Sequence, residues 1–246
     1  MTLTTRLVLS VLALLSFGTI DSSAAQHSLT FTGDVSRNAQ FPYLLFTPAN
    51  YDPHGDERWP LIVYLHGGSA RGDDAAKLRG IGLPRRLERE VEFPFIVVSP
   101  VCPEGEIWTD VDALAALVDQ IVRDYKVDRS RVYLTGHSMG GRGVLYLAYR
   151  MPERFAAVAA LSPYSPITAW SKRLAAVPLW IIHGAKDVQA PIRDSEELVQ
   201  ATEKAGGRPR FEALADRNHF LLDWYERDDI FQWRAQHRKG GTPGAN

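Results

Sequence analysis

The stretch Gly136-His137-Ser138-Met139-Gly140 decides how the rest of this 246-residue chain is interpreted. It matches the pattern G-x-S-x-G and lies between a strand-like apolar run, 131–135, and a helix-like run, 143–150. A serine hydroxyl is a weak nucleophile that becomes useful when a tight strand-to-helix turn exposes it beside a base. Because glycine has no Cβ, the two outer glycines allow such a turn. The sequence therefore predicts that Ser138 is a nucleophile at a strand-to-helix turn.

Apolar runs and helix-like segments alternate along most of the chain. Buried strands are predicted over 59–66, 93–99, 132–136, 156–161 and 177–183, a further strand over 209–215, and helices over 75–90, 112–125, 139–150 and 192–205. This alternation is typical of a parallel sheet covered on both faces by helices. Two short runs near the start, 28–33 and 41–47, predict an antiparallel hairpin at one edge. The predicted fold is α/β, with a mostly parallel central sheet.

Composition and charge limit the classes of protein to consider. Apolar residues make up 45% of the chain and charged residues 23%, which favours one globular domain and excludes a disordered chain. The 28 basic and 29 acidic side chains nearly cancel, giving a formal net charge of -1. Such a balance provides no electrostatic signature for nucleic acid or an anionic membrane, so we expect neither as a partner.

The first residues are typical of a secretory signal peptide. Arg6 precedes the apolar segment 7–15, and the small residues Ser23-Ala24-Ala25 follow it. The apolar stretch is shorter than the roughly 20 residues that a membrane-spanning helix needs. We therefore predict cleavage after Ala25, a secreted or periplasmic domain over 26–246, and no stable membrane anchor after cleavage. Cys102 is the single cysteine, so that domain would have no internal disulfide.

A serine nucleophile needs an imidazole base and a carboxylate that orients it. Active sites of such sheets lie beyond the carboxyl ends of the strands. His219 follows the run 209–215 in a loop, where a base can move, and Asp187 comes directly after the run 177–183. The order Ser, Asp, His agrees with this assignment. The alternatives are an ordinary loop histidine and an ordinary turn aspartate.

An oxyanion hole is built from backbone N–H groups, so its sign in a sequence is glycine after an apolar strand. Gly67 and Gly68 follow the predicted strand 59–66. We expect Gly68 to supply one donor and Met139, the residue after the nucleophile, to supply the other. The alternative is an ordinary Gly-Gly turn.

Taken together, these segments resemble the α/β-hydrolase superfamily, in particular its compact phospholipase/carboxylesterase and dienelactone-hydrolase-like branch, which includes exported esterases labelled predicted peptidases. The resemblance covers residues from about 40 to 237. Beyond the elbow, it rests on Leu65-His66-Gly67-Gly68-Ser69-Ala70-Arg71-Gly72-Asp73-Asp74, Trp180-Ile181-Ile182-His183-Gly184-Ala185-Lys186-Asp187, Asn218-His219, Trp224 and Trp233. It implies a secreted hydrolase with Ser138 as nucleophile, His219 as base and Asp187 as acid.

The predicted reaction is hydrolysis of a small-molecule carboxylic ester through an acyl-enzyme, without a metal or organic cofactor. Short or soluble acyl esters are the expected substrates, because little of the chain remains for a large lid. Trp108 and Tyr164 are candidate substrate contacts; the alternative for each is a packed side chain.

Three other functions remain open at this point. One is a serine peptidase of the prolyl-oligopeptidase-like type, and another is a catalytically inactive exported binding module. The third is a metal site formed by His66, His137, His183 and His219, whose positions lack the short ligand spacing of zinc sites. The oligomeric state cannot be read from the sequence.

Overall fold

One eight-stranded sheet runs through the residues that the computed structural model describes, 25–34, 38–90 and 92–240. Its strands are β1 (Ala25–Asp34), β2 (Asn38–Thr47), β3 (Trp59–Leu65), β4 (Ile96–Pro100), β5 (Val127–His137), β6 (Ala157–Leu161), β7 (Leu179–Gly184) and β8 (Arg210–Leu214). Their spatial order is β1-β2-β4-β3-β5-β6-β7-β8. The pairs β1·β2 and β2·β4 are antiparallel, and the other neighbours are parallel. The predicted mostly parallel sheet with an antiparallel N-terminal edge is confirmed.

The helices cover both faces of this sheet. They are α1 (Gly82–Leu87), α2 (Val111–Asp124), α3 (Met139–Arg150), α4 (Ser171–Leu174), α5 (Ile192–Lys204) and α6 (Asp229–Ala235). Alternate residues of β3 point to opposite faces: Val63 belongs to the core cluster that includes residues of α2, α3 and α5, whereas Ile62 belongs to the cluster that includes residues of α1 and α6. Every residue of β3 is buried, as expected for a central parallel strand.

The carboxyl ends of the central strands are aligned at one edge of the sheet. Leu65 of β3 pairs with Gly136 of β5, and His137 pairs with Leu161 of β6. Farther along, Leu161 pairs with Ile182 of β7. The segments that follow β3, β5, β7 and β8 therefore all leave the sheet at this edge, and they carry the residues predicted for the triad and the oxyanion hole.

The helix predicted over 75–90 is interrupted, which corrects that expectation. A 3₁₀ helix covers Ala75–Gly80, and α1 begins separately at Gly82. Gly82 has a φ of 55°, and a Cβ at this position would lie 2.2 Å from the hydroxyl of the buried Tyr64. The close approach of this tyrosine, which belongs to a distant strand, requires glycine and a break between the two helices.

The predicted signal peptide lies outside the described residues except for Ala25, the first residue of β1. In the described part of the chain, none of the helices combines the length and the apolarity that crossing a bilayer requires.

A buried histidine joins the end of β3 to the loop after β4. His66 is fully buried; its Nε2 accepts a hydrogen bond from the backbone N–H of Cys102 at 3.0 Å, and its Nδ1 lies 2.7 Å from the carbonyl oxygen of Gly67. Since that carbonyl can only accept, Nδ1 carries the proton. Burial lowers the pKa of His66 to about 4, so the ring is neutral at neutral pH.

We expect His66 to make folding sensitive to acid. In the unfolded chain a histidine binds a proton below about pH 6.5, whereas His66 in the folded chain does so only near pH 4. The stability from the neutral ring is therefore complete above about pH 6.5 and is lost as the pH falls towards 4. Between about pH 7 and pH 5, the loss of this stability lowers the free energy of unfolding by about 2 kcal/mol. Urea unfolding of wild type and His66→Gln should show a smaller decrease in the variant.

A suitable control is His54→Gln, because His54 is exposed. This variant should keep the pH dependence of the wild type. An equal pH dependence in His66→Gln and wild type would contradict a neutral, buried His66.

Helix α3 approaches β3 at Gly140 so closely that no side chain fits between them. A Cβ on Gly140 would lie 1.8 Å from the carbonyl oxygen of Leu65, the last residue of the central strand β3. Neither element can move away easily, because β3 is buried between two neighbouring strands. The absence of a side chain at this position therefore sets the distance between the helix and the sheet.

Gly140→Ala should consequently lower the free energy of unfolding by at least about 2 kcal/mol, because the added methyl group overpacks two backbones. Gly80→Ala is the matched control, since a Cβ there would meet nothing within 4 Å. Urea unfolding of both variants measures the difference. Equal stabilities would show that α3 has room to move.

Candidate active site

Ser138 connects β5 to α3 in a conformation that few residues other than glycine adopt. Its φ is 58° and its ψ is -119°. Such a conformation costs about 1–3 kcal/mol, so it persists only where neighbouring bonds hold it. The Ser138 N–H donates to the carbonyl oxygen of Leu161 at 2.9 Å. The Ser138 carbonyl oxygen accepts from the backbone N–H groups of Arg142 and Tyr164, each at 3.0 Å. These bonds fasten the strained turn to β6, to α3 and to the loop after β6.

The imidazole of His219 lies between the side chains of Ser138 and Asp187. Its Nε2 is 2.8 Å from Ser138 Oγ, and its Nδ1 is 2.7 Å from Asp187 Oδ2. Because an ionised carboxylate only accepts, the proton is on Nδ1 and Nε2 is free to accept from the serine hydroxyl. The structure thus brings together three residues that are separated by 49 and 32 positions in the sequence.

Asp187 is held by donors on both of its carboxylate oxygens. Oδ1 accepts from the backbone N–H groups of Gln189 and Ala190, each at 2.8 Å, and Oδ2 accepts from His219. Burial alone would raise the pKa of this carboxyl, but the hydrogen bonds from Ala190, His219 and Gln189 outweigh it and keep the pKa below its usual value. Asp187 is therefore ionised at neutral pH, although its side chain is buried.

His137 supports His219 through the backbone. Its Nε2 lies 2.7 Å from the carbonyl oxygen of His219, so Nε2 donates, and the two rings are 5.0 Å apart. Burial lowers the pKa of His137 to about 4, which keeps its ring neutral. The side chain that precedes the serine therefore positions the loop carrying His219.

The Gly67-Gly68 segment and the start of α3 meet beside the serine. A Cβ on Gly67 would be 3.6 Å from Ser138 Cβ, and Gly68 begins the 3₁₀ helix Gly68–Ala70. Met139 is the first residue of α3, where backbone N–H groups have no acceptor within the helix and the helix dipole is positive. Both predicted oxyanion donors thus come from segments that border Ser138.

Arg71 adds a positive charge at this end of the site. Its Nη2 is 3.3 Å from Met139 Sδ, and it would contact a Cβ on Gly68 at 3.4 Å. We did not single out this residue from the sequence, although it lies in the quoted segment 65–74.

The two predicted substrate contacts differ in their surroundings. Trp108 is buried; its Nε1 donates to the carbonyl oxygen of His66 at 2.9 Å, and its ring lines a cavity of about 230 Å³ together with Phe41, Cys102 and Leu114. Tyr164 is 52% exposed, and its backbone N–H donates to the carbonyl oxygen of Ser138. Trp108 therefore supports the loop after β3, whereas the exposed Tyr164 is joined to the serine through the backbone.

The four histidines considered as a metal site do not form one group. His66 contacts Cys102 and Gly67. His183 and His219 contact Asp187, and His137 contacts the backbone of His219. Over residues 25–34, 38–90 and 92–240, no three histidine, cysteine or acidic side chains are grouped as metal ligands.

Comparisons with known proteins agree with this architecture. A 31% identical relative is the bifunctional acetylxylan esterase/xylanase XynS20E of Neocallimastix patriciarum; the aligned 193 residues cover 73% of this chain and 27% of that protein. A solved thermostable esterase has a TM-score of 0.76 and 25% identity, over 87% of this chain and 63% of its own. The acylaminoacyl peptidase of Pyrococcus horikoshii shares the fold, with a TM-score of 0.68 and 13% identity over 91% of this chain and 43% of its own.

The chain spans between 23% and 55% of the length of the curated relatives it matches. The family model Esterase, described as "Putative esterase", matches residues 106–237, more than half of the 246 residues. This agrees with the predicted enzyme class, a carboxylic ester hydrolase. The chain therefore belongs to the Esterase family, within the α/β-hydrolase superfamily.

Proposed function

We propose that this chain is a serine esterase in which Ser138, His219 and Asp187 form a catalytic triad. The observation that carries the proposal is the continuous line of two hydrogen bonds, 2.8 Å from Ser138 Oγ to His219 Nε2 and 2.7 Å from His219 Nδ1 to Asp187 Oδ2. The proton positions favour transfer from the hydroxyl to Nε2, since Nδ1 already carries its proton. The charge on Asp187 then stabilises the imidazolium that forms.

The reaction proceeds by acyl transfer. Ser138 Oγ attacks the ester carbonyl while His219 takes its proton, and the N–H groups of Gly68 and Met139 stabilise the oxyanion of the tetrahedral intermediate. His219 then protonates the leaving alkoxide, and the acyl group remains on the serine. Water enters, gives its proton to His219 and attacks the acyl-enzyme, which releases the acid and restores the serine. These steps require no metal or organic cofactor.

Small, soluble esters are the proposed substrates. The segment between β6 and β7 contains only the 3₁₀ helix Thr168–Trp170 and the four-residue α4, so it covers little of the edge that carries Ser138. Tyr164, half exposed in this segment, is the proposed contact for the acyl or alcohol group. Trp108 lines a cavity whose lining does not include Ser138, so its proposed role is to support the Gly67-Gly68 segment through its hydrogen bond to His66.

Replacing members of the triad should abolish turnover without unfolding the protein. We expect Asp187→Asn to lower kcat on p-nitrophenyl acetate by about 10⁴-fold, because the histidine loses the group that fixes its tautomer, and Ser138→Ala to lower it at least as much. Asp216→Asn is the matched control. The exposed carboxylate of Asp216 accepts a hydrogen bond at 2.8 Å from Nζ of Lys186, the residue that precedes Asp187. Removing the charge of Asp216 should leave kcat within about twofold of wild type.

The same assays separate the alternative functions. A fluorophosphonate probe should label wild type and not Ser138→Ala; a folded wild type that remains unlabelled would support an inactive binding module. The anilide with the same acetyl group should be cleaved more slowly than the ester. Faster cleavage of the anilide would favour the peptidase alternative, whose fold is the same.

We also propose that the domain is exported after cleavage behind Ala25. Cleavage there would leave Gln26 as the first residue, and this side chain is anchored: its Nε2 donates to the carbonyl oxygen of Pro84 at 2.7 Å. Expression of the whole chain in a Gram-negative host should give a periplasmic protein. Its intact mass should equal that of residues 26–246, with Gln26 as the first residue. Retention of residues 1–25 in the recovered protein would contradict this proposal.

A further inference from the structure

A second imidazole, besides that of His219, contacts the carboxylate of Asp187. His183 is fully buried near the end of β7, and its Nε2 lies 3.1 Å from Asp187 Oδ2 and 2.8 Å from the carbonyl oxygen of Ala190. Its Nδ1 lies 2.8 Å from the hydroxyl of Ser195, a fully buried residue in the first turn of α5. Ser195 and His183 thus extend the line of contacts beyond Asp187 into the core.

The chemistry of these partners determines where the protons are. A carbonyl and a carboxylate oxygen only accept, so Nε2 of His183 carries a proton and donates to both. Burial lowers the pKa of His183, so the ring is neutral and Nδ1 has a lone pair. That lone pair accepts the proton of the Ser195 hydroxyl. The two acceptors at Nε2 therefore select the Nε2–H tautomer, the form of the neutral ring that can donate to Asp187 from this nitrogen, and Ser195 holds the ring at Nδ1.

We propose that His183 and Ser195 are positioning residues for the reaction, an inference that rests on the proposed triad. Through its Nε2–H, His183 donates to Oδ2, the same oxygen that accepts from His219, and thereby fixes the orientation of the carboxylate and takes up part of its charge. Ser195 acts one step farther away by holding the His183 ring in place through Nδ1.

This arrangement leaves the carboxylate little freedom to rotate. Oδ1 is held by two backbone N–H groups, and Oδ2 is shared between two imidazoles. Without His183, more of the negative charge of Asp187 would face His219 and would stabilise the imidazolium that forms during the reaction. The titratable groups that face Asp187 are His219 from the loop after β8, His183 from β7 and, behind His219, His137 from β5.

The test compares one variant that removes the donor to Asp187 with three that leave a donor in place. His183→Leu removes the donor at similar volume, and His183→Gln keeps an amide donor. Ser195→Ala removes the hydroxyl that holds the His183 ring at Nδ1. Thr202→Val is the matched control, because Thr202 is another buried hydroxyl of α5, but it donates to the carbonyl oxygen of Leu198 at 2.8 Å and has no part in the line.

We expect His183→Leu to lower kcat/KM on p-nitrophenyl acetate about tenfold to a hundredfold, as for the loss of one hydrogen bond to a charged group, and to move the acidic limb of the pH profile to higher pH. Ser195→Ala should give a smaller change in the same direction, His183→Gln should recover part of the loss, and Thr202→Val should leave the profile unchanged. Long-range ¹⁵N–¹H spectra of histidine-labelled wild type at neutral pH should show His183 as the neutral Nε2–H tautomer.

The outcome can also be distinguished from failure of the proposed triad. If Ser138→Ala retains activity, the triad itself is wrong. If Ser138→Ala is inactive but Ser195→Ala and Thr202→Val have the same pH profile and His183 is the Nδ1–H tautomer, the triad stands and the positioning role is overturned. Should His183→Leu fail to fold, Ser195→Ala and the tautomer measurement decide alone.

Discussion

The close contact between α3 and β3 is the constraint on which the rest of the site depends. Because position 140 has no side chain, the helix starts within touching distance of the sheet, and the chain must turn sharply at Ser138 to enter it. The cost of that turn is offset by three backbone hydrogen bonds, of which one is local to α3 and two join the turn to β6 and to the loop after it. The strained serine thus depends on the central sheet, and its geometry depends on helix packing two residues away.

Around this turn, buried neutral histidines provide much of the support. His66 ties the loop after β3 to the loop after β4, His137 donates to the backbone that carries His219, and His183 contacts the acid. An uncharged imidazole can donate on one side and accept on the other, which suits a junction between a strand end and a loop. Their burial keeps them uncharged at neutral pH, so the protons they hold stay in place.

The sequence allowed the sheet and the order of its elements to be predicted, because buried parallel strands produce continuous apolar runs and β3 to β7 each contain such a run. It also singled out Asp187 and His219, since each comes soon after a predicted strand. It did not predict the break at Gly82, which is caused by Tyr64 from a strand 18 residues earlier. Nor did it predict the contact of His183 with Asp187, because that contact forms only when the loop 185–191 folds back on β7. Interactions between neighbouring strand ends were thus predictable in position, but not in their hydrogen bonding.

The single cysteine of this chain has a practical consequence for chemistry on the protein. Cys102 is buried behind His66, and burial raises the pKa of its thiol to about 12, so almost none of it is thiolate at neutral pH. Alkylating reagents and oxidants act on the thiolate and need access to it, and Cys102 provides neither. A cysteine introduced at any exposed position would therefore be the one reactive thiol in the molecule, which allows a dye, a spin label or a surface linker to be attached at a chosen site without first removing the natural residue.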